Sequence, residues 1–214
     1  MKQLLLGCGH SRKKRMGWDL TSSQPSRTWS KEWDDVVTLD VNMDVAPDLL
    51  CDLNTGYMTP DGIGTWTIND NRPSAFDCLD VDTRQPITFL KEDYFDEVHA
   101  YEILEHLGRQ GDYVSFFNTF SNLYRILVPG GLVLATCPSR YSGWLWGDPG
   151  HTRAILPETL SFLDQTAYIE ECDRKQTTRS DYRNIWKGDF RCLYTQDDKS
   201  MHAFILQAIK PART

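Results

Sequence analysis

Apolar residues occur along this chain in short runs, and stretches with a helical repeat separate several of them. The runs that predict strands are 2–6, 36–40, 49–53, 95–100, 132–137, 168–172 and 203–209. Short apolar runs bounded by turn residues are typical of strands that are buried on both faces. The pattern therefore predicts a buried sheet.

The helical repeat is clearest between residues 112 and 127. The apolar positions that share one helix face there are Phe116, Phe120, Leu123, Tyr124 and Leu127. Pro129 and Gly130 are expected to end this helix, because Pro cannot continue a helix and Gly tolerates a left-handed turn. Shorter helices are predicted over 101–108 and from Pro157 to about residue 165. The alternation of strand and helix indicates a parallel α/β sheet, with room for a late antiparallel pair.

Residues 54–94 interrupt this alternation. The stretch is rich in Gly, Pro, Asn and Asp, its apolar content is thin, and its clearest local pattern is a hairpin around 65–68. Such a composition indicates an insertion rather than a second domain. The 214 residues are thus expected to form a single domain with an insertion at about 54–94.

Composition and charge exclude several classes of protein. Hydrophobic residues make up 40% of the chain and charged residues 25%, as in ordinary globular proteins. The six cysteines form no Cys-x-x-Cys pair, so reduced thiols in the cytoplasm are expected. Neither a membrane span nor a signal peptide is predicted, because the apolar runs are short and a cleavage pattern is missing. The net charge of −7 disfavours binding to extended duplex DNA.

The first two predicted strands end in residues that suit a nucleoside. The first ends in Gly7-Cys8-Gly9 and the second in Asp40. Glycines at a strand end let a ligand approach the backbone, and a carboxylate at the next strand end suits a ribose diol. The alternative is that Asp40 only caps a turn. The basic residues 12–15 follow, and they would either neutralise a ligand's carboxylate or form a solvated loop.

Four stretches of the chain resemble class I S-adenosylmethionine-dependent methyltransferases: LLLGCG, VVTLDVNMDVAPDLLCDLN, FDEVHAYEILEHL and LYRILVPGGLVLATCPS. Together they are similar to the compact branch of that family, and they cover most of residues 3–53 and 95–165. The resemblance implies a Rossmann-like, seven-stranded, mostly parallel sheet with its last strand antiparallel and helices on both faces. It also implies S-adenosyl-L-methionine as the cofactor.

By position, the resemblance also implies which residues contact the cofactor. They are Gly7, Cys8 and Gly9 at the methionine, Asp40 at the ribose, Asp52 and Leu53 at the adenine, and Ala100 and Tyr101 on the floor near the methyl donor. Cys8 itself is expected to pack within the turn. The sequence departs from the family pattern twice, since Leu5 replaces the acid that commonly precedes the turn and His10 follows where a third glycine is common.

A second group of polar residues follows the strand at 95–100. Glu102, Glu105 and His106 fall at i, i+3 and i+4, so a helix over 101–108 would place them on one face. With His151, they offer ligands to Mg²⁺, Mn²⁺ or Zn²⁺. The arrangement resembles small-RNA 3′-end 2′-O-methyltransferases and metal-dependent ubiquinone-pathway O-methyltransferases. Glu102, His106 and His151 are therefore the candidate catalytic residues.

Two other interpretations of these residues stay open. Glu and His on a helix face are often only solvated, and relatives of this fold carry Leu-Glu-His without using a metal. Alternatively, His106 or His151 acts as a general base or orients the substrate without an ion.

Aromatic residues occupy a Gly-rich loop after the strand at 132–137. Tyr141, Trp144 and Trp146 would form either a lid that stacks a planar substrate or a cluster that holds the loop down. His99 lies inside a predicted strand, so it is expected to be structural.

The sequence thus predicts a cytoplasmic S-adenosylmethionine-dependent methyltransferase, with O-methylation favoured and metal assistance left open. Its acidic charge favours a small molecule, a sugar or lipid-linked intermediate, or a short RNA or protein end as the acceptor. No membrane partner is expected. One alternative is a non-catalytic partner subunit that binds the cofactor. The other is a nicotinamide-dependent dehydrogenase, which would also use Gly7, Gly9 and Asp40 but usually has a third glycine.

Overall fold

The computed structural model of the chain describes residues 1–19, 26–28, 32–50, 53–54, 78–80, 86–87 and 90–214. The strands are β1 Lys2–Leu6, β2 Gly17–Asp19, β3 Ser26–Thr28, β4 Asp35–Asp40, β5 Leu49–Leu50, β6 Cys78–Asp80, β7 Pro86–Ile87, β8 Phe95–Tyr101, β9 Leu127–Pro138, β10 Phe190–Asp197 and β11 Met201–Ala208. The α-helices are α1 Tyr113–Ile126, α2 Trp144–Gly147, α3 Pro157–Leu160 and α4 Gln165–Tyr168. Single turns of 3₁₀-helix span Met43–Val45, Leu104–His106 and Ser161–Leu163, and a π-helix spans Ile169–Arg174.

Among the described residues, nine strands form one sheet in the order β10-β11-β9-β8-β1-β4-β5-β6-β7. In the part of this order that reads β5-β4-β1-β8-β9, each strand runs parallel to its neighbours. By contrast, β11 runs antiparallel to both β9 and β10. The predicted α/β class, with a mostly parallel central sheet and an antiparallel last strand, is confirmed. The predicted count of seven strands is not, because β6 and β7 extend the sheet beyond β5.

The order of the strands reverses at β1. The chain runs outward from β1 to β4 and β5 on one side, and later from β8 to β9 on the other side. At such a reversal a crevice opens outside the carboxyl ends of the strands, and ligands of Rossmann-like sheets bind there. The strand ends that meet at this crevice are Leu6, Asp40 and Tyr101.

The two faces of the sheet carry different layers. Leu4 and Leu6 pack in a large core together with the buried apolar residues of α1, α3 and α4. Leu5 points to the other face and packs in a smaller core with Met16. In the described part of the chain, no α-helix contributes to this second core.

The prediction of helices on both faces is therefore wrong for the residues described here. The segment that follows β1 covers the smaller core without forming a helix over residues 7–16. Its sequence explains this, because four consecutive basic residues at 12–15 provide no apolar stripe that a helix could bury.

The helix α1 matches the predicted helix over 112–127 to within one residue at each end. The Asp112 carboxylate caps it by accepting a hydrogen bond from the Ser115 amide at 3.0 Å. Its apolar face, with Phe116 and Phe120 both buried, packs on the large core. The helix ends where the chain turns into β9.

Two predicted elements differ from the structure. The helix predicted over 101–108 is reduced to the single turn Leu104–His106. The strand predicted over 168–172 is instead helical, because the Asp164 carboxylate caps α4 by accepting from the Thr166 amide at 2.8 Å. The pattern also gives no indication of β10, an edge strand most of whose residues are only partly buried or exposed.

A buried network ties the segment after β1 to the sheet. The Lys14 Nζ lies 3.2 Å from the Glu97 carboxylate, and both side chains are nearly inaccessible. Glu97 also accepts a hydrogen bond from His99 Nε2 at 2.9 Å, and His99 Nδ1 accepts one from the Tyr101 hydroxyl at 2.6 Å. Both ring nitrogens of His99 are thus engaged, in agreement with its expected structural role. At least one member of the basic cluster, Lys14, is not a solvated loop residue.

This network makes stability depend on acid pH. Burial alone would raise the pKa of Glu97, but the hydrogen bonds from His99 and Gln3 and the charge of Lys14 lower it from 4.5 to about 2. The ion pair therefore contributes stability above pH 4.5 and loses that contribution as the pH falls toward 2. We expect Glu97→Gln to lower the free energy of unfolding by about 3 kcal/mol at neutral pH, because it leaves Lys14 buried and unpaired.

Urea unfolding of both proteins across the acid range measures this difference. The gap between wild type and Glu97→Gln should narrow as the pH falls below 4.5, the ordinary pKa of a glutamate. The matched control is Glu171→Gln, which breaks an exposed pair with Lys175 and should change little. If the difference in the free energy of unfolding between wild type and Glu97→Gln stays constant below pH 4.5, this role of the ion pair is contradicted.

Within the described residues, no helix is long and apolar enough to cross a bilayer. Most of the predicted insertion at 54–94, including the hairpin predicted at 65–68, lies outside those residues. The single-domain organisation therefore stays a prediction.

Candidate functional site

The turn after β1 contains two glycines in the left-handed backbone region. The φ angles are 58° at Gly7 and 51° at Gly9, values that residues with a Cβ rarely adopt. A Cβ on Gly7 would lie 2.9 Å from the Ile103 side chain, so the turn passes close to the loop after β8. A Cβ on Gly9 would meet no described atom within 4 Å. This side of the turn is therefore accessible to a ligand.

Asp40 connects this turn to the neighbouring strand β4. Its carboxylate accepts hydrogen bonds from the Gly9 amide at 2.8 Å and from the Asn42 amide at 2.9 Å. The Cys8 amide donates to the Leu39 carbonyl at 3.2 Å. Asp40 thus caps two turns, as the alternative interpretation expects. A carboxylate has about four lone-pair positions, so these two bonds leave capacity for a ribose diol.

Other residues predicted to contact the cofactor lie around the same strand ends. Cys8 is buried, burial raises the pKa of its thiol, and it packs within the turn as expected. Ala100 is fully buried in the large core, so its side chain does not line the crevice floor as predicted. Leu53 is partly buried against the same core. Asp52 lies outside the described residues.

Tyr101 does not point its phenol toward the predicted floor of the site. The residue lies within β8, and its hydroxyl accepts a hydrogen bond from the Met16 amide at 3.0 Å and donates to His99. Burial raises the pKa of this phenol. The side chain therefore anchors the segment after β1 on the smaller core, which corrects the prediction that it lines the cofactor crevice.

Three of the predicted metal ligands come together after β8. One ligand atom from each of Glu105, His106 and His151 lies within 4.8 Å of the others. The 3₁₀ turn supplies the first two residues, and the loop before α3 supplies His151. The two imidazole rings meet edge to face with 4.7 Å between their centroids, and His151 Nε2 lies 4.0 Å from the Glu105 carboxylate.

Glu102, the fourth predicted ligand, is not part of this group. It adopts a left-handed conformation with φ of 55°, and its amide donates to the Thr136 carbonyl of β9 at 2.8 Å. The helix that would align Glu102 with Glu105 and His106 therefore does not begin, and the Glu102 side chain is exposed. The prediction that all three share one helix face is wrong.

Backbone carbonyls hold both imidazoles by their Nδ1 atoms. His106 Nδ1 lies 3.0 Å from the Gly150 carbonyl, and His151 Nδ1 lies 2.7 Å from the Trp144 carbonyl. A carbonyl only accepts, so each Nδ1 carries a proton, and Nε2 is the nitrogen of each ring that is left to donate an electron pair to a metal. Metal-binding histidines are commonly oriented in this way.

Glu105 is buried without a strong partner. Its exposed fraction is 1%, and by hydrogen-bond geometry neither carboxyl oxygen has a partner in the described structure. Its own amide and the weak thiol donor of Cys137 are the donors that act on the carboxylate. Burial raises the pKa of Glu105 to about 7. A buried, unpartnered carboxylate is unfavourable, and a divalent cation would relieve this. One carboxylate and two imidazoles suit Mn²⁺ or Zn²⁺ better than Mg²⁺, which prefers oxygen ligands.

The loop beside these residues carries exposed aromatic side chains. Tyr141 is 69% exposed, Trp144 71% and Trp146 57%, while Leu145 between the tryptophans is buried. The Trp144 carbonyl is the group that orients His151. Such exposure argues against a packed cluster that only holds the loop down, and the lid stays a prediction.

Two residues that the sequence analysis does not single out also shape this region. The Asn54 side chain accepts from the Gly108 amide at 2.9 Å and donates to the His106 carbonyl at 3.2 Å, so the turn after β5 supports the histidine loop. Arg153 is buried two residues after His151. Asn54 directly follows the Cys-Asp-Leu motif, which is the one sequence signal for it, whereas Arg153 has none.

No protein-family model matches this chain, and no curated protein matches it in sequence. Solved structures of methyltransferases are similar to it. A SAM-dependent methyltransferase from Archaeoglobus fulgidus is 16% identical over 96% of this chain and 85% of its own, with a TM-score of 0.46. The N-methyltransferase NodS from Bradyrhizobium japonicum WM9, in complex with S-adenosylhomocysteine, is 11% identical over 97% and 77%, with a TM-score of 0.45.

An S-adenosylmethionine-dependent methyltransferase from Mesorhizobium loti is also similar, with 11% identity over 96% of this chain and 90% of its own and a TM-score of 0.42. At TM-scores of 0.42 to 0.46, none of these three likenesses carries an argument about what this chain binds or does.

Proposed function

We propose that this chain is an S-adenosylmethionine-dependent methyltransferase that methylates a hydroxyl group with the help of a divalent cation. The observation that carries the proposal is the direct bond between the Gly9 amide and the Asp40 carboxylate, at the tips of two adjacent parallel strands. These tips flank the point where strand order reverses. Rossmann-like sheets bind nucleoside cofactors at this position.

The residues around the crevice suit S-adenosylmethionine. Gly9 leaves its backbone accessible, and Asp40 can accept from the ribose hydroxyls. The cofactor supplies the methyl group, carried on a sulfonium. Transfer of that group is an in-line displacement, so the contribution of the chain is mainly to hold donor and acceptor in register.

The cation would be held by Glu105, His106 and His151. The two imidazoles and the buried carboxylate need little rearrangement to bind an ion, because carbonyl groups already fix both rings. A cation at this position would lower the pKa of an acceptor hydroxyl and orient it. This favours O-methylation over N-methylation.

The acceptor is best described as a small neutral molecule such as a sugar, with a short RNA end as the alternative. Trp144 and Trp146 are exposed beside the proposed cation site and can contact a flat or apolar face. Glu102 is also exposed, and Asp148 is 46% exposed. These acids, together with the net charge of −7, disfavour a polyphosphate backbone.

A cytoplasmic location belongs to the same proposal. The cysteines for which the structure describes a side chain are unpaired: Cys8, Cys137, Cys172 and Cys192. Free thiols suit a reducing compartment.

Calorimetric titration of the protein with S-adenosylmethionine and S-adenosylhomocysteine, each with and without Mn²⁺, tests the proposal. Both nucleosides should bind, and Mn²⁺ should stimulate methyl transfer to hydroxyl acceptors. Binding of NAD in place of both nucleosides would favour a dehydrogenase. Cofactor binding without transfer to any acceptor would favour a non-catalytic partner subunit.

The chain offers a matched pair of variants for the cofactor crevice. Gly9 and Gly111 both have positive φ, and a Cβ on either would meet no described atom within 4 Å. The two alanine substitutions should therefore introduce similar backbone strain. We expect Gly9→Ala to weaken S-adenosylhomocysteine binding by about tenfold or more and Gly111→Ala to leave it unchanged. Equal effects would contradict the location of the cofactor.

A further inference from the structure

A cavity of about 210 Å³ opens beside the N-terminal end of α1. Its wall is largely aromatic, and the rings that line it are Tyr113, Phe116, Phe117, Phe162 and Tyr182. Tyr182 lies at the centre of this wall, with ring centroids 5.2 Å from Phe117, 5.3 Å from Tyr113 and 5.7 Å from Phe162. A cavity of about 150 Å³ is enough to admit benzene. This one therefore has room for a single ring with a small substituent.

One charged side chain in the cavity lining is almost completely buried. Arg153 is 5% exposed, and its guanidinium carbon lies 5.4 Å from the centre of the Phe116 ring. Its Nη2 donates to the carbonyls of Arg109 at 2.6 Å and of Asp112 at 2.7 Å. Over the described ranges, Arg153 forms no ion pair with a carboxylate. The protein groups around the guanidinium are thus two carbonyls and a phenyl ring, and none of them carries a negative charge.

An unpaired guanidinium in this environment favours an anionic ligand. Arginine stays protonated in proteins, so burial cannot be relieved by loss of the proton, although burial does lower the pKa of Arg153. The negative charge of Asp112 raises the pKa of Arg153, but the Asp112 carboxylate already accepts a hydrogen bond from the Ser115 amide and caps α1. A second carboxylate would form charge-assisted hydrogen bonds with the fork of the guanidinium.

Further groups along the cavity support the same ligand. The hydroxyls of Tyr113 and Tyr182 have no hydrogen-bond partner among the described residues, so they are available as donors. Asp112 also lines the cavity and would repel a doubly charged phosphate more strongly than a singly charged carboxylate. The flat aromatic wall favours a planar ligand body.

We propose that this cavity binds a small aromatic carboxylate, with its ring against Tyr182 and the neighbouring phenyl groups and its carboxylate on the guanidinium of Arg153. The site is separate from the proposed cofactor crevice, and binding there requires neither the cofactor nor the cation. The two proposals can therefore fail independently.

Titration of the whole protein with benzoate and with its neutral isostere benzamide, followed by calorimetry and ligand-observed NMR without cofactor, tests the proposal. Benzoate should bind roughly 10- to 100-fold more tightly than benzamide, as expected for a charge-assisted hydrogen bond. Arg153→Gln should remove that preference. The control Arg174→Gln removes one exposed positive charge that does not line the cavity, so it should retain the preference for benzoate.

A second variant guards against misfolding of the first. Thr159→Trp fills part of the cavity while leaving Arg153 intact, so it should abolish benzoate binding without changing the thermal midpoint or S-adenosylhomocysteine binding. Equal affinity for benzoate and benzamide, or no benzoate binding at millimolar concentrations, would overturn the proposal. So would benzoate binding that persists in both Arg153→Gln and Thr159→Trp.

Discussion

Glu105→Gln should abolish Mn²⁺ binding and reduce methyl transfer by at least about 100-fold, while the metal-free protein becomes no less stable. The loss follows because an amide cannot replace the charge of the one carboxylate in the cluster of Glu105, His106 and His151. The unchanged or higher stability follows because wild-type Glu105 buries two carboxyl oxygens without a strong partner, and its pKa is raised to about 7. The neutral amide removes the need to bury that charge.

Thermal unfolding with and without Mn²⁺ separates these effects. A ligand at about 100 times its Kd stabilises the native state by about 2.7 kcal/mol. Mn²⁺ should therefore raise the thermal midpoint of wild type and leave that of Glu105→Gln unchanged. Glu102→Gln is the matched control, because it makes the same chemical change at an exposed position outside the cluster. If Glu102→Gln loses as much Mn²⁺ binding and activity as Glu105→Gln, the original prediction that Glu102 is also a metal ligand would be restored. Wild-type activity that a chelator leaves unchanged would dispose of the cation altogether.

The elements that could be predicted from sequence are those whose burial is unambiguous. The run at Leu4–Leu6 is apolar on both faces and short, as is typical of a central strand, and the repeat through Phe116 and Phe120 is long enough to specify α1. The cover on the second face could not be predicted. Lys14 is buried there only because Glu97, far away in sequence, supplies a counter-ion. Local sequence does not report such a partner.

The candidate site shows the same division. Glu105, His106 and His151 could be identified because their residue types are uncommon together, and the structure brings them to one place. The alignment of Glu102 with them could not be judged, because it assumes that a helix starts at the end of β8. Instead, the Thr136 carbonyl accepts a hydrogen bond from the Glu102 amide. Hydrogen bonds between residues far apart in sequence cannot be read from the local pattern of apolar positions.

Asp40→Ala should weaken S-adenosylhomocysteine binding by about 2–3 kcal/mol, or roughly 30- to 150-fold, because it removes charge-assisted hydrogen bonds to the ribose. The same change also removes the acceptor of the Gly9 and Asn42 amides, so it should lower the free energy of unfolding by about 1 kcal/mol. Asp44→Ala is the control, because it deletes a nearby exposed carboxylate that is bonded to neither turn. It should leave both quantities nearly unchanged.

A ligand that lacks one ribose hydroxyl distinguishes recognition by Asp40 from mere capping of the turn. Wild type should bind S-adenosylhomocysteine about tenfold more tightly than its 2′-deoxy analogue, and Asp40→Ala should bind the two alike, since the lost hydroxyl and the lost carboxylate are partners in one interaction. If Asp40 serves only to hold Gly9 and Asn42 in place, the substitution will weaken both ligands by the same factor and the preference will survive. Calorimetric titration of both ligands into both proteins measures all four affinities. If Asp40→Ala still prefers S-adenosylhomocysteine over the 2′-deoxy analogue, the ribose does not bind at the end of β4.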